Sequence, residues 1–146
     1  MRALFQRVSR ASVRIGGETV GQIGPGALVL VGVRRGDTPA DAAKLAAKTA
    51  RLRVFDDPDG KLNLPVSADP ARAILAVSQF TLCADTRHGN RPSFIEAAPP
   101  EEAEPLFLAY VEALRALGIR VETGRFRTFM EVELVNDGPV TILLET

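Results

Sequence analysis

Polar and apolar residues alternate from the first turn of the chain. Leu4, Gln6 and Val8, and then Ala11, Val13 and Ile15, take turns with Arg7, Ser12 and Arg14. Successive side chains of a strand point to opposite faces, so this period of two predicts a strand with one face buried. Gly16-Gly17 supplies a turn, Glu18 to Ile23 return as a second strand, and Gly24-Pro25-Gly26 interrupts the chain before the apolar run Ala27 to Val33. The opening therefore reads as an antiparallel meander whose third strand is buried. The run is far shorter than the ~20 residues that a membrane-spanning helix needs.

The period then lengthens. Thr38 offers a hydroxyl cap, Pro39 takes the first helical position and Asp41 follows three residues after the cap, so a helix is predicted from about Pro39 to Arg53. Ala43, Ala46, Ala47, Ala50 and Val54 give it a narrow stripe of small apolar side chains. Asp56-Asp57-Pro58-Asp59-Gly60 closes this unit with turn-forming residues. Ala73 to Leu82 reads as a central strand whose far end carries Ser78, Gln79 and Thr81, and Ala84 to Pro92 as an exposed loop with Arg87, His88 and Arg91. A second helix starts at Pro99-Pro100-Glu101-Glu102 and stops at Gly118, burying Ala103, Leu106, Phe107, Tyr110, Val111, Leu114 and Leu117 on one face. Val132 and Leu134, then Val140, Ile142 and Leu144, flank Asn136-Asp137-Gly138-Pro139 as the two arms of a hairpin. With no internal repeat, residues 1–146 form one α/β domain: a barrel-like sheet of mostly antiparallel strands covered by two helices.

Charge narrows the choice of partners. Lys+Arg and Asp+Glu both number 18, so there is no net basic field to draw in phosphate backbones indiscriminately, and any RNA contact must be local. The single cysteine, Cys83, excludes an internal disulfide, and the start Met1 to Arg7 lacks the apolar core of a signal peptide; both point to the cytoplasm. One His and one Cys cannot build the usual structural zinc sites, so metal-free chemistry is expected. Nor is a cofactor: Gly24-Pro25-Gly26 lacks the third glycine and the following helix of a dinucleotide loop, and reads as a plain turn.

Read residue by residue, the candidate chemistry stays open. A serine hydrolase would draw on Ser78 or Thr81 with His88 and Asp85, yet no Gly-x-Ser-x-Gly elbow surrounds either hydroxyl. His88, beside Arg87, Gly89, Asn90 and Arg91, reads as a solvated or phosphate-facing histidine, and Cys83 as a packed side chain. A general esterase using Ser78 or Thr81, and an RNA-end binding module without chemistry, both stay in play. Asn136-Asp137-Gly138-Pro139 alone is only a turn, although a Gly-Pro bond adopts the cis form at modest cost.

Taken together, Ser78-Gln79-Phe80-Thr81-Leu82, Arg91-Pro92-Ser93-Phe94, Thr123-Gly124-Arg125-Phe126 and Asn136-Asp137-Gly138-Pro139-Val140-Thr141 resemble the D-aminoacyl-tRNA deacylase family. The opening Gln6 to Val13 resembles its first strand, so the similarity spans the chain. The resemblance implies hydrolysis of the ester of D-aminoacyl-tRNA by a symmetric homodimer, with aminoacyl-tRNA as the partner molecule; if the L form is rejected by exclusion, glycyl-tRNA, with hydrogen in both directions at its α-carbon, is expected to be cleaved as well. It places Ser78, Gln79, Phe80 and Thr81 in a catalytic pocket and sets Gly138 and Pro139, in cis, into it from the other subunit as a chirality gate. Arg7 would hold the Gly-Pro carbonyls, and Ala103, Phe126 and Met130 would line the same pocket. The attack is then by water, aided by main-chain donors near Ser78 to Phe80 and by the RNA 2′-hydroxyl, with Thr81 the nearest protein hydroxyl.

Overall fold

In the computed structural model, which describes Met1–Thr146, the sheet is assembled on the 14-residue strand β1 (Arg2–Ile15). The first half of β1 pairs antiparallel with β3 (Gly26–Gly32), from Arg2 opposite Gly32 to Val8 opposite Gly26. Its second half pairs with β2 (Glu18–Ile23), from Ala11 opposite Ile23 to Ile15 opposite Glu18. The expected meander is thus rearranged, because β1 stands between β2 and β3 in the sheet. β6 (Ala73–Ser78) runs parallel to β3, and β7 (Arg120–Thr123) runs parallel to β6. Antiparallel pairing therefore holds around β1, and between the short β4 (Phe55–Asp56) and β5 (Leu62–Leu64), while the centre of the sheet is parallel. β7 is a strand the periodicity did not predict, being only 4 residues long.

The sheet curls until β2 meets β7. A Cβ on Gly21 would stand 2.6 Å from the carbonyl oxygen of Thr123, so the near-closure into a barrel requires a residue with no side chain there. β3 and β6 are buried on both faces, as the unbroken apolar run requires. Val29, Val31, Ile74 and Ala76 pack under the helices; Leu28, Leu75 and Val77 meet Val8, Ala11 and Val13 inside the curl.

The buried face of β1 is inverted in its first half: Ala3, Phe5 and Arg7 are buried, and Leu4 and Gln6 are half-buried. Register shifts against its neighbour on either side of Val8 change the parity, so Val8, Ala11 and Val13 face inward as expected.

α1 (Pro39–Arg51) opens on the expected capping box: the Asp41 N–H donates to Thr38 Oγ1 at 3.4 Å, and the Thr38 N–H donates to Asp41 Oδ2 at 2.9 Å. Its buried stripe is Ala42, Leu45, Ala46, Thr49 and Ala50, one residue round from the expected one, and Ala43 is exposed. α2 (Pro100–Ala116) buries Ala103, Phe107, Tyr110, Val111 and Leu114, while Leu117 at the C-cap is exposed. The Tyr110 hydroxyl donates to Thr49 Oγ1 at 3.1 Å across the helix pair, and burial pushes the phenol pKa up. No helix is long and apolar enough to cross a membrane.

The expected hairpin at Asn136 is instead a bulge. β8 (Glu131–Glu145) continues in one direction along β1, with Val8 opposite Asn136 and Gln6 opposite Thr141, so Arg7 alone faces Asp137 to Val140. The Asn136 side-chain amide ties the neck of this bulge by donating to the Arg7 carbonyl at 2.9 Å and to the Val140 carbonyl at 3.0 Å.

Candidate active site

β6 ends four residues earlier than the sequence pattern suggests. Past Ser78, the Gln79 N–H donates to the Val31 carbonyl at 2.7 Å, and the chain then tightens into a 3₁₀ turn, Phe80–Cys83. The first bond of that turn runs from the Leu82 N–H to the Gln79 carbonyl at 3.2 Å, so the turn itself supplies no acceptor for the N–H groups of Phe80 and Thr81.

A cavity of about 600 Å³ opens beside this turn, with ten apolar residues among the fifteen in its wall. Ser78, Gln79 and Phe80 form one side, Ala103 and Phe107 of α2 another, and Phe126 and Met130 a third. Six of the sequence-predicted residues thus share one cavity. Thr81 does not line it; its hydroxyl accepts from Gln79 Nε2 at 2.5 Å. Val31, Val33, Phe107 and Val132 are walls that periodicity identifies only as strand and helix residues, because a core position and a cavity wall share one pattern. Phe129 at the rim is 90% exposed, and an aromatic beside Arg127-Thr128 was the available sign of it.

Gly138 and Pro139 lie elsewhere, exposed on the bulge of β8 and joined by a cis peptide bond. Arg7, one of two buried polar residues, holds this bulge. Its Nε donates to the Asp137 carbonyl at 3.1 Å and pairs with the Asp137 carboxylate at 3.2 Å, and its Nη1 donates to the Val54 carbonyl at 2.9 Å. The carbonyl that Arg7 grips is that of Asp137, one residue before the two expected. Gly138 has φ +120°, and a Cβ there would meet Val140 Cγ2 at 2.9 Å and Arg7 Nη2 at 3.0 Å. Arg7 sits opposite Ala27 whereas the cavity lies at Val31 and Val33, a distance along the chain of about 13 Å to the first and about 20 Å to the second at ~3.3 Å per residue. The bulge does not reach the cavity of its own chain.

No hydrolase triad is assembled. Asp85 accepts from Arg87 Nε at 2.9 Å, from Nη2 at 2.7 Å and from the Arg87 N–H at 3.0 Å, and these bonds hold its carboxyl far below the usual range. His88 makes no hydrogen bond to Ser78, Thr81 or Asp85. Cys83 is 2% exposed, and burial pushes its thiol pKa up, opposite to the shift a nucleophile needs.

Comparison with known proteins settles the class. The family described as D-Tyr-tRNA(Tyr) deacylase matches residues 4–145. The chain belongs to the D-aminoacyl-tRNA deacylase family. The deacylase of Symbiobacterium thermophilum is 62% identical over 146 residues, covering 100% of this chain and 96% of that one. The deacylase of Anaeromyxobacter dehalogenans is 58% identical, covering 100% of this chain and 97% of that one. Among solved structures, the c-Myc DNA Unwinding Element Binding Protein superposes with a TM-score of 0.93 at 43% identity over 100% of this chain and 99% of that one. A probable eukaryotic D-amino acid tRNA deacylase superposes at 0.83 with 16% identity over 99% of this chain and 98% of that one, a likeness of fold.

Proposed function

We propose that this chain hydrolyses the ester of D-aminoacyl-tRNA in the cytoplasm, working as a homodimer that rejects the L form. The strongest support is the mostly apolar cavity, with Ser78, Gln79 and Phe80 on one wall, in a chain of the deacylase family. Such a cavity accepts an acyl group, and the start of the 3₁₀ turn offers main-chain N–H donors for the oxygen on which charge develops. Water adds to the ester carbonyl, and collapse of the adduct breaks the bond to the ribose oxygen, which leaves with a proton. The neighbouring 2′-hydroxyl of the terminal adenosine assists that transfer. Thr81, held by Gln79 and outside the cavity wall, is not the nucleophile in this scheme.

Chirality is read by exclusion. With the substrate's amino group and ester carbonyl fixed by main chain, the two remaining directions at its α-carbon differ only in which carries hydrogen. The D form turns hydrogen toward Gly138-Pro139, and the L form would drive a side chain into that backbone. Glycyl-tRNA, with hydrogen in both directions, enters as well.

Because the bulge lies at least about 13 Å from its own cavity along β3, the gate acts on a second copy. The edge of β8 away from β1 pairs with no strand of this chain. Antiparallel pairing of two such edges about a two-fold axis beside Val135 sets Gly138 of one chain opposite Val132 of the other, and Val132 is a cavity wall. Single-turnover hydrolysis of D-tyrosyl-tRNA by Thr81→Ala tests the chemistry. Substantial retained activity is expected, and a loss as large as that from deleting a nucleophile would contradict it.

A further inference from the structure

The loop that follows the 3₁₀ turn has no role in this chemistry, yet it is built firmly beside the cavity. The N–H of Asp85 donates to the Ser93 carbonyl at 2.8 Å, and the N–H of Ser93 donates to the Asp85 carbonyl at 2.9 Å, so residues 85 to 93 form a pinched hairpin loop. At its foot the ring of Phe94 meets the ring of Phe80 edge-on, with centroids 5.1 Å apart and an interplanar angle of 67°. Phe80 lines the cavity, so the loop stands at its mouth.

Its exposed tip carries Arg87, His88 and Arg91 and no carboxylate. The only acid in the loop, Asp85, is spent on Arg87, while Arg91 has no ion-pair partner. Behind the turn, Arg2, Arg34 and Arg87 share a polar cleft of about 450 Å³ with Asp85 and Glu96. Phe80 and Phe94 are 56% and 40% exposed, unusual for rings with no structural need to face water. Unpaired RNA is gripped by this combination: cations on its phosphates and aromatic faces under its bases.

We propose that the loop 85–93, with Phe94 at its foot, is the RNA-binding finger of this site. Arg91 and His88 meet the phosphates of the unpaired 3′ end, and Phe94 offers a stacking face to one of its bases. The inference rests on the deacylase reading for the identity of the RNA. It also supplies the local cation cluster that a chain with 18 basic and 18 acidic residues needs in order to hold RNA.

The test is the affinity of the full-length protein for uncharged tRNA, measured by fluorescence anisotropy across a salt series. Arg91→Glu is expected to weaken binding at least about tenfold and to flatten the log–log salt dependence by about one phosphate contact. Phe94→Ala is expected to weaken binding by about fivefold or more with the salt slope unchanged, the mark of lost stacking. Lys44→Glu, the same charge change on an exposed position of α1, should stay within about twofold of wild type, since only a local charge matters. Equal loss in Arg91→Glu and Lys44→Glu, or no loss in Arg91→Glu, would overturn the assignment. Hydrolysis of D-tyrosyl-tRNA by the wild type is followed in parallel. Its absence alongside Arg91-dependent binding would sink the deacylase reading and leave the finger standing.

Discussion

Arg7 shows how a single buried side chain can hold a bulge in place. Its guanidinium is buried between β1, the Val54 carbonyl and the Asp137 bulge, and its planar fork satisfies acceptors in several directions at once. Lysine keeps the charge but not the fork. Hydrogen bonds to charged groups contribute about 1.5–3 kcal/mol each, so Arg7→Lys should lower kcat/KM for D-tyrosyl-tRNA by about tenfold; an unchanged value would free the bulge from Arg7. Gly138→Ala meets Arg7 and Val140 in a backbone region that disfavours side chains, and should cost activity while the far-ultraviolet circular dichroism stays native. Cys83 should resist iodoacetamide at pH 8 until the protein is unfolded, because its thiol is buried and its pKa raised. The alternation rule put Arg7 on the solvent side of β1, since a register shift changes parity without leaving a mark in the sequence. Ser78 and Gln79 stood out as polar groups closing an apolar strand, but only the family motif, which also brought in Phe80, singled them out from an ordinary strand end; Phe107 and Val132 look like core.

At the scale of elements, legibility followed local chemistry. The helix start at Thr38-Pro39 could be read because its cap lies within four residues, and the structure forms both bonds of the box. The fate of Asn136-Asp137-Gly138-Pro139 could not, because hairpins and bulges use the same turn-forming residues and only the partner strand decides between them. Thr38→Ala should destabilise the protein by about 1 kcal/mol. The hydrogen bond from Thr38 lowers the pKa of Asp41 in the folded state. Its stabilising effect is therefore complete above the unfolded carboxylate value of about 3.9 and fades as pH falls through the lower folded value. The difference in Tm between wild type and Thr38→Ala should accordingly shrink below about pH 4; a gap that widens in acid would contradict the cap's role.

For the whole molecule, the Gly138-Pro139 bulge and the cavity lie apart within one chain, and the proposed trans gate needs the unpaired outer edge of β8 to bring two copies together. Val135, at the proposed two-fold axis, is partly exposed. Val135→Lys places like charges against each other there, so light scattering should report a halved mass and hydrolysis of the D substrate should be lost with it. A dimeric variant, or an active monomer, would remove the trans gate. Sequence pattern could not disclose the unpaired edge of β8, since that is a property of topology; the proposal of a dimer came from the family motifs.

The most direct measurement is hydrolysis of D-tyrosyl-, glycyl- and L-tyrosyl-tRNA by the purified chain in one assay. Exclusion by a backbone wall predicts that the D ester is cleared, the glycyl ester is cleaved to an intermediate degree and the L ester persists. Equal hydrolysis of the D and L esters, or complete resistance of all three, would contradict the account.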